Sequence, residues 1–287
     1  MGDVLAGIHA TWEFDTDSVL IRFERGIRTP KLLQSLRERR IPHAAVSSVT
    51  LTPGKRDTVV LRVVPRPGAD PLLEAAAGQL KEGCDPYRLV LPAERELLAE
   101  YYADELRSCL GPDSDEPADR FLVAAPEAPM QFKAYDGRAG FDGERISFRW
   151  FRTGASSAKW KAGDQTYRVS DLAGIEWRSP EAIDGHLRLV PRAAEVSRAA
   201  ADQDPAAVLF GLGYGPVHES LPFAAAVLES VRTRTAPAVP APVLVNAGRR
   251  DPADIAERIH HLGELHRAGL VTDDEYCAKK AQLLAEL

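Results

Sequence analysis

Three cysteines in 287 residues, Cys84, Cys109 and Cys277, are too few and too far apart for a disulfide framework. No Cys-x-x-Cys pair is present to suggest a zinc knuckle. A reducing, cytoplasmic setting is the expectation. No stretch approaches the roughly 20 apolar residues of a membrane-spanning helix. The first residues, Met-Gly-Asp-Val-Leu-Ala, lack the basic and apolar segments of a secretory leader. Basic residues are also in deficit. Thirty-six Lys and Arg against forty-two Asp and Glu leave a net charge of -6, which argues against a nucleic-acid partner, because such proteins carry a basic footprint.

Catalytic patterns are equally scarce. There is no Gly-x-Ser-x-Gly elbow and no His-Glu-x-x-His pair. His260, His261, His266 and Cys277 lie close in sequence, but adjacent histidines on a helix point apart. Gly211, Gly213 and Gly215 follow a predicted strand and precede a helix, the setting in which backbone amides can cradle a phosphate. No second parallel strand and no acidic residue for a ribose follow them, so they read as a glycine-rich loop. The expectation is a non-catalytic protein with no catalytic residue, metal or cofactor.

What the chain does have is repetition. Phe14-Asp15 opens a run in which Val19, Ile21 and Phe23 alternate with polar residues, and Phe141-Asp142 opens another with Ile146, Phe148 and Trp150. An arginine holds the same place in each, Arg22 and Arg149. Alternation of this length predicts half-buried strands, with the aspartates in the hairpin turns. Further on, Val46, Val49 and Leu51 return as Leu172, Ile175 and Trp177, and Leu61-Arg-Val-Val-Pro returns as Leu187-Arg-Leu-Val-Pro. Asp85-Pro86 matches Asp204-Pro205, and the helical stripe Tyr102, Leu106, Leu110 matches Phe223, Val227, Val231. These matches, all in one order, mark a duplication. Within the first copy, residues 31–40 carry Leu32, Leu33 and Leu36 at helical spacing, residues 72–80 read as a helical insertion, and Leu98 extends the buried stripe of the closing helix. Trp12, Trp150, Trp160 and Trp177 read as core or rim residues.

The expected fold is mainly β with some α: two small barrels, each of short strands plugged by a carboxyl-terminal helix. This pattern resembles the pleckstrin-homology-like (PH-like) domain. The paired Phe-Asp hairpins, Asp-Pro strands and Leu-Arg-x-Val-Pro strands look like an actinobacterial family of unknown function with tandem PH-like repeats, a resemblance that covers about residues 7–233. It implies a first domain over 1–110, a linker over 111–120 and a second domain over 121–235. Each barrel is expected to stand on its own.

Residues 236–250 form a Pro- and Ala-rich linker, and residues 251–287 read as a helical hairpin. Ile255, Ile259, Leu262 and Leu265 make one apolar stripe and Tyr276, Leu283 and Leu284 another, with Thr272 and Glu275 spaced as a capping box. The run from Leu265 to Leu284 looks like a SHOCT (short C-terminal) domain. These seven apolar residues are the candidate partner-binding set. Arg25, Arg28 and Lys31, in a locally basic stretch with Arg22, Arg37, Arg39 and Arg40, are candidates for anionic lipid contact. The functional expectation is a cytoplasmic adaptor or scaffold that binds a protein partner or self-associates as a homo-oligomer. The alternatives are a peripheral sensor of an anionic membrane surface and, third in order, an enzyme whose site is assembled from distant loops.

Overall fold

A computed structural model describes residues 3–192 and 199–235, which belong to one compact unit. The predicted linker 236–250 and hairpin 251–287, with all seven of its candidate residues, lie outside the described residues. The first repeat has a four-stranded antiparallel sheet of β1 (Asp3–Ala6), β2 (Ala10–Phe14), β3 (Ser18–Phe23) and β4 (Glu38–Pro42). A three-stranded one follows, of β5 (Val46–Pro53), β6 (Thr58–Pro65) and β7 (Arg88–Pro92). Helix α1 (Lys31–Leu36) joins β3 to β4, α2 (Pro71–Ala76) joins β6 to β7, and α3 (Glu96–Ser108) closes the repeat. The second repeat follows the same order: β8 (Met130–Lys133), β9 (Gly137–Phe141), β10 (Arg145–Trp150), α4 (Ser157–Ala162), β11 (Gln165–Arg168), β12 (Leu172–Arg178), β13 (His186–Pro191), β14 (Ala207–Leu209) and α5 (Val217–Thr235).

The four sheets are open, which corrects the expectation of closed barrels. A one-turn 3-10 helix, His43–Ala45 in the first repeat and Val169–Asp171 in the second, separates the fourth strand from the fifth and interrupts the ladder. The two sheets of a repeat meet instead through one backbone bond, Ile8 N–H to Val90 O (2.7 Å) and its counterpart Tyr135 N–H to Leu209 O (2.9 Å). Each closing helix fills the space between. Phe14 from the first sheet stacks on Tyr102 of α3 (4.2 Å), and Phe223 of α5 meets Phe132 and Phe141 edge-on.

The duplication extends to details that spacing alone does not reveal. Register shifts at Val46/Ser48 and again at Leu172/Gly174, so both repeats carry the same irregularity at the start of the fifth strand. Asp85 accepts the Tyr87 N–H and pairs with Arg62 (2.9 Å), while Asp204 accepts the Ala206 N–H and lies 3.2 Å from Arg188. The turn aspartates diverge. Asp142 accepts from the backbones of Glu144 and Arg145, and these bonds hold its carboxyl below the ordinary range. Asp15 instead pairs with Arg40.

Three expected elements differ. The helix predicted over 31–40 stops at Leu36, because Arg37 turns to φ +61° and residues from Glu38 onward pair with β3. The insertion is shorter than 72–80 as well: Asp70 caps α2, Ala77 ends it at φ +46°, and Gln79 leaves the helix to bond the second repeat. In α3 the buried face is Ala99, Tyr102, Ala103 and Leu106, whereas Leu98 is 44% exposed. Trp12, Trp150 and Trp177 are buried, but Trp160 is exposed.

The repeats share their packing. One core holds Trp12, Ile21, Leu33, Leu61, Tyr87 and Leu106, all from the first repeat. The other combines Phe132, Phe148, Trp177, Leu187 and Phe223 with Leu32, Leu72, Ala75 and Ala76, which the first repeat donates through α1 and α2. Adjacent leucines of α1 thus serve different cores, Leu33 its own and Leu32 its neighbour's. Polar bonds reinforce the junction: Gln79 donates to Trp177 O (3.0 Å) and accepts from Ser179 N–H (2.9 Å), and Arg232 pairs with Glu74 (2.9 Å). The predicted linker 111–120 and the residues just after it run back over the first repeat, with Ala118 N–H bonded to Pro67 O and Leu122 N–H to Ala69 O.

Candidate functional site

Neither buried polar centre has the access that chemistry requires. In the first repeat Asp70 accepts from Arg39 (2.7 Å), Tyr87 (2.5 Å) and the Leu72 N–H (2.8 Å), and all of these side chains are sealed from solvent. Burial opposes the charge on Arg39, but Tyr87 and Asp70 outweigh it, while burial pushes the Tyr87 hydroxyl well above its ordinary range. In the second repeat Lys159 Nζ, fully buried over the Trp150 ring, donates to Asp136 (2.5 Å) and to Ala207 O (2.8 Å). Burial lowers its affinity for the proton and Asp136 works against that effect. Both centres tie strands to helices.

The other suggestive groups serve structure too. The Gly215 N–H bonds Lys133 O, and at φ +57° its missing Cβ leaves room for the Phe210 ring, which a side chain would meet at 2.2 Å. Burial raises the Cys84 thiol, the opposite of the shift that activates a nucleophile. Among the described residues no three of His, Cys, Asp or Glu are grouped to hold a metal ion, and no helix is long and apolar enough to cross a membrane.

Three of the seven basic residues in the stretch of the first repeat are committed internally. Arg39 is buried, Arg22 pairs with Glu13 and Glu38, and Arg40 pairs with Asp15. Arg25, Arg28 and Lys31 remain exposed, and between the two arginines Ile27 is fully exposed at the tip of the turn.

A larger cationic surface lies on the outer face of the β8–β11 sheet. Side chains alternate across a strand, so the outward residues of β10 are Arg145, Ser147 and Arg149. The register gives a middle row, Gln131–Gly140–Ser147–Thr166, running across all four strands. One side of this row carries Arg145 beside Arg168, and the other carries Lys133, Arg138 and Arg149. The small side chains leave a trough of about 450 Å³, lined also by Pro129, Met130, Phe141, Asp142 and Arg145. All five cations are exposed. Arg138, Arg149 and Arg168 meet no carboxylate among the described residues, Arg145 stands near Asp142 without an ion pair, and Lys133 lies over the rings of Phe151 and Tyr214 (5.6 and 5.2 Å).

The same place in the first repeat is filled and neutral. Its middle row is Val4–Glu13–Leu20–Arg40, and its flanking residues include Arg22 opposite Glu38. Glu13, Glu38 and Asp15 satisfy its two arginines. Copies of one design have therefore diverged on this face, one self-paired and one with five cations against a single nearby carboxylate, Asp142, in an acidic protein. The residues were available to sequence reasoning as the outward positions of predicted strands. Their convergence required the strand order.

Fold and surface together define a duplicated, mainly β protein with an exposed cationic face. The chain belongs to DUF4429, a family described as a domain of unknown function, whose model matches residues 12–107 and 139–228. No curated protein matches it.

Proposed function

We propose that the protein is a non-catalytic adaptor whose two PH-like repeats act as one platform and bind an acidic protein segment on the outer face of the β8–β11 sheet. The PH-like reading is supported by the shared order of four strands, three strands and a closing helix in each repeat. The adaptor reading rests on one observation: five cations flank a trough on the second repeat whose single lining carboxylate, Asp142, forms no ion pair with them, whereas Glu13, Glu38 and Asp15 pair with the arginines on the same face of the first. Guanidinium groups suit this task because each can hold a carboxylate in a bidentate pair. The carboxyl-terminal segment that resembles a SHOCT hairpin supplies a second attachment to a protein partner.

Fluorescence anisotropy with a labelled oligoglutamate peptide tests the reading. Binding is expected at low ionic strength and should weaken as salt screens the charges. The R138E/R149E double variant should bind at least about tenfold more weakly, since each reversed charge turns attraction into repulsion. Equal binding by the variant, or none by the unaltered protein, would defeat the proposal.

Full exposure of Ile27 between Arg25 and Arg28 favours a second reading, peripheral attachment to an anionic membrane with Lys31 contributing. In that case phosphatidylserine vesicles should sediment the protein, and Ile27→Ser together with Arg28→Glu should release it while leaving peptide binding intact. Vesicle binding that both substitutions leave unchanged would sink this second reading.

A further inference from the structure

We infer that the acidic segment recognised by the β8–β11 face is the outer face of α3 in a second copy of this chain; the inference rests on the adaptor reading above. Helix α3 turns Leu97, Leu98 and Tyr101 to solvent, at 88%, 44% and 56% exposure, an apolar face without cover among the described residues. At about 100° per residue, Leu97, Tyr101, Glu105 and Leu98 fall on one side of the helix, and Glu94 lies in the 3-10 turn Ala93–Arg95 immediately before it. Glu94 and Glu105 are exposed and form no ion pair among the described residues. Arg107 occupies Glu100 and Asp104 on the flank. The surface thus reads acid, apolar, acid along the helix.

The cationic face has the matching sequence. Rows of positive charge stand on either side of a trough whose lining includes Met130 and Phe141, with Asp142 beside Arg145 as its one carboxylate, so the face keeps a net positive charge. Arg145 and Arg149 are four residues apart on β10, roughly 14 Å at the rise of a strand. Glu94, in the 3-10 turn Ala93–Arg95 that leads into α3, and Glu105, eleven residues on, are separated by roughly 16–18 Å at the rises of a 3-10 turn and an α-helix, within reach of flexible arginines on both rows. Laid over the trough, α3 would set Tyr101 and Leu97 against its floor and a glutamate at each row. Covering the apolar side chains and neutralising the cations would occur in one contact.

The comparison within the chain explains why α3 is free to do this. Its counterpart α5 is covered by α1 and α2 of the first repeat, and there the positions equivalent to Asp104 and Glu105 are Ala225 and Ala226, both buried. Small residues allow close helix packing at that place; carboxylates on α3 do not. The face of α3 is therefore unsuited to another helix pair of the same kind, but its charges suit a cationic sheet. Because the two surfaces differ, the contact is head to tail.

Light scattering on the full chain provides the test. The weight-average mass should rise with concentration above 31.3 kDa at low ionic strength and fall back at about 0.5 M salt. R138E/R149E and Glu94→Lys/Glu105→Lys should each remain at the single-chain mass. Mixing the two variants should restore association, because the reversed charges then face one another. Circular dichroism of each variant would exclude loss of fold. An unaltered protein that stays at 31.3 kDa overturns the inference; if it still binds oligoglutamate, the adaptor reading stands without it. An assembly that persists in both variants also overturns it, and places the contact elsewhere in the chain.

Discussion

Asp136→Ala is expected to destabilise the protein by about 3–5 kcal/mol, the range for removing one member of a buried ion pair. Two groups would lose their partner at once. Lys159 Nζ, fully enclosed, would keep only Ala207 O and the Trp150 ring, and the Leu209 N–H, which donates to Asp136 Oδ1 at 2.9 Å, would lose its acceptor. At roughly 2–4 °C per kcal/mol for a unit of this size, the melting temperature should fall by about 6–20 °C. The first repeat shows that the fold does not demand this pair, since the equivalent residues are His9 and Leu33, and Leu33 packs in an apolar core. Adding Lys159→Met to Asp136→Ala should therefore recover at least half of the loss, because no ammonium then remains buried. Denaturant unfolding of both variants and the parent would measure the coupling. A loss below about 1 kcal/mol in the single variant would mean that water or rearrangement satisfies Lys159, and the pair would no longer count as a structural tie.

Local pattern carried the strands, and strand pairing carried what local pattern could not. Alternation at 19–23 and 146–150 located β3 and β10; in β10 one face is buried and the other wet, whereas in β3 Ser18 and Leu20 are buried too and only Arg22 is exposed. The segment 37–42 was hidden: Leu32, Leu33 and Leu36 have helical spacing, and nothing in Glu38-Arg39-Arg40 suggests a strand. Arg39 is buried there only because Asp70 and Tyr87, 31 and 48 positions away, converge on it. The openness of the sheets has a similar origin. A strand count is compatible with closed or open arrangements, and two short 3-10 turns decide between them. The cationic face lay in view strand by strand, yet five basic residues on β8, β9, β10 and β11 become one surface only once their order and register are fixed.

The junction between repeats was the least legible part, because its residues look like ordinary members of either copy. Leu32 and Leu33 differ in no chemical respect, but helical rotation sends them to different cores. The same geometry removes the expected independence of the two halves. A domain that borrows Leu72, Ala75 and Ala76 from its neighbour cannot complete its core alone. The described residues should accordingly unfold together rather than in two steps, as units with a large shared apolar interface do.

Ala225→Asp tests that junction, and a fall of roughly 6–12 °C in melting temperature is expected, equivalent to about 3 kcal/mol. Ala225 is fully buried. It stands seven residues, two helical turns, from His218 and from Arg232. Lys31 of α1 acts electrostatically on His218, and Arg232 bonds Glu74 of α2 and lies 4.5 Å from the Phe121 ring, so this stripe of α5 faces the first repeat. A carboxylate introduced there would be desolvated, and its extra volume would push α5 away from α1 and α2. Aspartate is also what the first repeat has at the equivalent position, Asp104 of α3, where the helix faces water. The substitution therefore imports a residue that suits the closing helix itself and conflicts only with the neighbour packed against it. Differential scanning calorimetry distinguishes the outcomes. A lowered transition, or one divided into two, would show that stability resides in the shared packing, whereas a melting temperature within about 2 °C of the parent would show that the repeats hold their cores without it.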